Sequence, residues 1–123
     1  MRDPREILAR IRAQADDATE GPWTAEYSGE QGNCVLPPEY QSTRETVAVT
    51  RLLSAQADAE FIAASRTTVP ALLDALDAAI RVHHLSEFHT FTGPVPWCDE
   101  CDCTYPCPTV DAITTALEGL HHA

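Results

Sequence analysis

Four of the five cysteines, Cys98, Cys101, Cys103 and Cys107, fall within ten residues as C-x2-C-x-C-x3-C. Thiols crowded this closely in a chain without an export signal point first to a metal and second to redox chemistry. A structural zinc takes four thiolate or imidazole donors in a tetrahedron. Cys98-Asp99-Glu100-Cys101 has the two-residue gap of a zinc knuckle, and Cys107 sits at the mouth of a predicted helix, whose positive end favours a thiolate. The fourth donor is open. Cys103 is separated from Cys101 by one residue, which makes joint ligation of one ion awkward, and His89 lies in the intervening loop. His83 and His84 extend the Leu73–Leu76–Ile80 stripe by three and four residues. His83 is favoured, because a donor on a rigid helix end ties the cysteine segment to the domain. His84, His89 and Cys103 stay as alternatives. The expectation is a structural Zn2+ on Cys98, Cys101, Cys107 and His83.

Competing chemistries fit less well. Trp97-Cys98-Asp99-Glu100-Cys101 echoes a thioredoxin-like Trp-Cys-x-x-Cys, but that chemistry needs its first cysteine at a helix N-terminus. Here Pro94 and Pro96 precede it, and the two acids inside the motif oppose an activated thiolate. There is no glycine-rich phosphate loop, no HExxH and no nucleophile elbow. Asp58 and Glu60 read as a solvated helix face, and Cys34 as a small packed hydrophobe.

The elements that must position these donors belong to one α+β domain over residues 1–123, with a metal-binding segment at 83–109. Asp3-Pro4 is a helix start, and Ile7, Leu8, Ile11 and Ala15 recur at helical spacing to about residue 16. Between Trp23 and Thr50 apolar and polar residues alternate, which predicts a small antiparallel sheet with Cys34-Val35-Leu36 as its middle strand. A helix from Ser54 carries Phe61 and Ile62. A further helix from Thr68, with the Leu72, Leu73, Leu76 and Ile80 stripe, makes an αα-hairpin through a Ser65–Thr68 connection. Residues 85–108 read as a loop with too little apolar material for a core of their own, and helical spacing resumes over 109–120. The fold expected is a small antiparallel sheet on three or four helices, with a zinc-stapled C-terminal loop.

Eight Lys+Arg against 19 Asp+Glu leave a net charge of −11, which excludes the simplest nucleic-acid binder. No run approaches a membrane span, and the charged Met1–Glu6 start is unlike a signal peptide, so a cytoplasmic protein is expected.

Three blocks together resemble a class of small proteins from actinobacteria and their phages: Thr19-Glu20-Gly21-Pro22-Trp23, the stretch Ala57–Leu73, and Cys98-x-x-Cys101 followed by Tyr105-Pro106-Cys107-Pro108-Thr109. Residues between Glu26 and Arg44 fall largely outside the match. In that pattern Cys98, Cys101, Cys107 and His83 stand at the repeated Cys/His positions, while Cys103 and the extra histidines depart from it. The resemblance implies a phage origin and this organisation, but no activity. The reading is a non-enzymatic zinc protein working through contacts with a host or phage protein, in the host cytoplasm if phage-encoded. One alternative is an acidic nucleic-acid mimic, although the acids are scattered. Another is a small metal-dependent hydrolase, which needs an open coordination position.

Overall fold

The computed structural model describes residues 3–29 and 32–122. Its elements run α1 (Pro4–Asp17), β1 (Thr24–Gly29), β2 (Gly32–Leu36), β3 (Ala48–Val49), α2 (Ala55–Val82), β4 (Leu85–Thr90), β5 (Gly93–Cys98), β6 (Cys103–Thr104) and α3 (Pro108–Glu118), closed by a 3-10 turn over Gly119–His122. The fold is α+β: three helices and two small antiparallel sheets, ordered β1-β2-β3 and β4-β5-β6. The chain sorts into two compact units, one spanning Arg12–Leu72 and the other joining Leu73 onward to the chain up to Ile11. Among the described residues no helix is long and apolar enough to cross a membrane.

In the Arg12–Leu72 unit, β2 is the middle strand as its composition predicts. Cys34, Val35 and Leu36 are buried, Cys34 pairs with Val49 and Glu26, and Val35 packs with Ala59 and Ala63 of α2. Trp23, Ala25, Val47, Ala48 and Ile62 close over that cluster. Small alanines on α2 let the helix approach the sheet closely, and Thr50 secures its start by donating its hydroxyl to the Ala55 carbonyl at 2.6 Å.

The expected αα-hairpin is corrected. One 28-residue helix runs through Ser65–Thr68 without a break and carries Pro70 in its interior. Residues 59, 63, 66, 70, 73, 77 and 80 recur at intervals of three and four, and none of them is exposed, so a single stripe crosses the predicted connection. Ser65 satisfies its hydroxyl by donating to the Phe61 carbonyl at 2.7 Å, which removes its value as a turn signal.

The second correction concerns 85–108. Instead of a loop, β4 and β5 form a hairpin in full register from Leu85↔Cys98 to Thr90↔Gly93, and β6 adds Trp97↔Thr104 and Cys98↔Cys103. Pro94 and Pro96 would ordinarily exclude a middle strand. Here β6 is only two residues long and lies beside Trp97 and Cys98, so β5 is paired on both sides only there. The Pro96 carbonyl still serves that side, accepting from the Tyr105 amide at 3.0 Å. Phe88 and Trp97 stack on one face with centroids 4.8 Å apart, and this aromatic pair supplies the packing that the aliphatic count leaves out.

Candidate metal centre

Four donors converge in the Leu73-onward unit. His83 immediately follows α2, its amide bonded back to the Ala79 carbonyl at 3.2 Å, three residues beyond the buried Ile80. Cys98 ends β5, and Cys101 sits in the turn that follows. Asp102 takes φ +53 to swing the chain into β6, a left-handed conformation that Asp tolerates better than most residues. Cys107 is the N-cap of α3, with Pro108 next in the first turn. The bond between Tyr105 and Pro106 is cis.

The ligand atoms of His83, Cys98, Cys101 and Cys107 all lie within 4.8 Å of one another, close enough to bind a metal. His83 Nδ1 is 3.7 Å from Cys98 Sγ, 3.4 Å from Cys101 Sγ and 3.5 Å from Cys107 Sγ. Tetrahedral zinc with Zn–S near 2.3 Å and Zn–N near 2.05 Å places nitrogen and sulfur about 3.6 Å apart. The three nitrogen–sulfur edges of the cage therefore have the length that such an ion requires.

Electrostatics point the same way. Desolvation, reinforced by the sulfurs of Cys107 and Cys98, pushes the Cys101 thiol up to about 12. Three sulfurs this close cannot all ionise without a cation between them. Cys107 goes the other way. Desolvation opposes its ionisation, but the Val110 amide, the Cys98 and Cys101 thiols and the Thr109 amide together draw it below the ordinary thiol value. The two amides belong to the first turn of α3, whose start thus favours a thiolate at its N-cap. Cys98 and Cys107 are fully buried against Val110.

The alternatives for the fourth donor fall outside the set. Cys103 faces Cys98 across the β5–β6 ladder and packs against the Cys98–Cys107–Val110 cluster, beside the cage rather than in it. His84 is an exposed residue between α2 and β4, and His89 is exposed on β4 opposite Pro94. Cys34 lies in β2, in the other unit. The thioredoxin-like geometry is absent too, since Cys98 ends a strand and enters a turn instead of opening a helix. What the sequence reading lacks is the hairpin that delivers Cys98. Its signal is the alternation Ser86-Phe88-Thr90 facing Val95-Trp97, masked by the prolines between. No protein-family model, curated protein or solved structure matches this chain.

Proposed function

We propose that this is a non-enzymatic zinc protein, in which Zn2+ held by His83, Cys98, Cys101 and Cys107 staples β4–β6 and the start of α3 to the end of α2. The observation that supports it is the cage of one imidazole nitrogen 3.4–3.7 Å from three sulfurs. Zinc in such a shell supplies charge neutralisation and a cross-link. Four protein donors fill a tetrahedron and leave no position for a substrate or water, which disfavours the hydrolase alternative. With the metal as scaffold, the work falls to surfaces that meet another protein. Phe91 at the β4–β5 tip and Leu53 before α2 are fully exposed, as expected of contact residues rather than core. The resemblance to actinobacterial and phage proteins makes an accessory or host-interaction factor in the host cytoplasm the role proposed.

The test combines elemental analysis with hydrogen exchange. Protein purified without added metal should carry about one zinc per chain, and chelation should free the amides of 85–108 while those of β1, β2 and the first half of α2 keep their protection. Iron with visible charge-transfer bands, or metal-free protein with the same exchange pattern, overturns the proposal.

A further inference from the structure

Two sequence blocks take no part in the metal centre, yet the fold brings them together: Thr19–Trp23 and the middle of α2. Between them Arg66 is clamped. Gly21 lies so close to its stem that a Cβ there would fall 2.7 Å from Arg66 Cγ. The guanidinium carbon stands 5.8 Å from the centroid of the Trp23 ring, just inside cation–π range. Arg66 Nε donates to the Thr19 carbonyl at 3.0 Å, and the Trp23 indole N–H donates to that same carbonyl at 3.0 Å.

Only Nε is used. Among the described residues Arg66 has no carboxylate partner, and its two terminal amino groups make no hydrogen bond to protein. The side chain instead lines a cleft of about 450 Å³ with Glu20, Gly21, Pro22, Thr67 and Pro70. An arginine fixed along its stem and left open at its fork has already lost the rotamer freedom that binding would cost. The stem and Nε hold the Thr19–Trp23 segment against α2, and the two terminal nitrogens are left over for recognition.

We propose that this cleft binds a carboxylate carried on a small aliphatic body, with the carboxylate on the two terminal nitrogens of Arg66 and the aliphatic part against Pro22 and Pro70. Three features select this class. The planar fork matches a carboxylate bidentately. A single guanidinium neutralises one negative charge, and Glu20 on the rim repels a dianion such as phosphate more than a monoanion. The remaining lining, Gly21, Pro22, Thr67 and Pro70, offers apolar contact, one hydroxyl and no second cation. The carboxylate can come from a free short-chain acid or from the C-terminus of a polypeptide.

The experiment is a two-dimensional NMR titration of the intact protein, following the Arg66 Nε–H and Trp23 indole N–H signals. Isovalerate represents the free acid and N-acetylleucine the chain end. N-acetylleucinamide and inorganic phosphate are controls. Saturable shifts with a Kd near 1 mM are expected for at least one of the two acids, about what so small a ligand can reach. The acid that binds identifies the source. Arg66→Lys keeps the charge and loses the fork, and should weaken binding about tenfold or more. Glu20→Gln, at an exposed position that leaves the fold intact, should tighten it about threefold. No saturable shift with either acid overturns the proposal. So does binding of the amide as strong as that of the acid, phosphate binding tighter than both acids, or indifference to Glu20→Gln.

Discussion

His83 presents Nδ1, the ring nitrogen nearer the backbone, to all three sulfurs. A donor so placed is carried rigidly by the end of α2, with little of its own freedom left to lose. Replacing it should therefore matter far more than replacing its neighbours. His83→Ala is expected to lower zinc affinity by about a hundredfold or more, beyond the 10–100-fold typical of outer-shell changes. His84→Ala, His89→Ala and Cys103→Ser should each stay within a few-fold of the parent, as read by competition with a chromogenic chelator. Equal losses at His83 and Cys103 would move the fourth donor. At the other end of the chain, Asp3 caps α1. Its carboxylate accepts from the Arg5 amide at 2.9 Å and pairs with the Arg5 guanidinium at 2.8 Å. Hydrogen bonds from the Arg5 side chain, partly opposed by desolvation, hold the Asp3 carboxyl below its ordinary value. A depressed acid stabilises the fold above its unfolded pKa, near 3.9, and loses that contribution as pH falls through the folded value. Asp3→Ala should cost about 1 kcal/mol at pH 7, and the gap to the parent should shrink below about pH 4. A cost independent of pH would show that the charge is not what caps the helix.

Among the elements, α2 holds the sharpest internal conflict. Pro70 lies in the helix interior, where it forfeits a hydrogen bond to the Arg66 carbonyl and crowds it. Pro70→Ala should raise stability by about 1–3 kcal/mol in denaturant unfolding, because the missing amide is restored. Destabilisation would mean that the ring's packing in the Arg66 cleft outweighs the backbone term. The same proline explains why the helix divides in a reading of the sequence. Thr68-Val69-Pro70 has the pattern of a helix start, and only the spacing of Ala59, Ala63, Leu73 and Ile80 betrays continuity. By contrast α1, β1–β2 and α3 follow visibly from periodicity and caps. Cys98, Cys101 and Cys107 are legible because they cluster within ten residues. His83 is legible only as one of several donors, since spacing alone cannot say which ring meets the sulfurs. The β4–β5 hairpin is hidden because its stability rests on the Phe88–Trp97 stack and the metal segment, neither of which leaves an aliphatic alternation.

At the scale of the whole molecule, charge dominates. The net of −11 comes with no lysine, and the proposed zinc on three thiolates and a neutral imidazole would lower it by about one further unit, because ligating thiols give up their protons. Five of the described arginines are already engaged. Arg5 is paired with Asp3, Arg10, Arg12 and Arg44 have partners, and Arg66 is packed on Trp23. No binding of duplex or single-stranded DNA below micromolar concentration is expected at about 150 mM salt. An anisotropy titration that finds it would move a nucleic-acid role to first place. The same charge leaves association with a basic protein surface open, with an on-rate that falls as salt rises.

The hairpin tip gives the donor cage one more consequence. Phe91 is fully exposed in the β4–β5 turn, where a protease specific for aromatic residues can reach it. A cut there divides the chain between His83 and the three cysteines, so the bound ion would bridge the two fragments. The nicked protein should run as one particle on a native gel and come apart only when the metal is stripped. Backbone continuity and molecular integrity would then be separate properties of this region, with the ion, rather than the peptide bond, holding the fragments together.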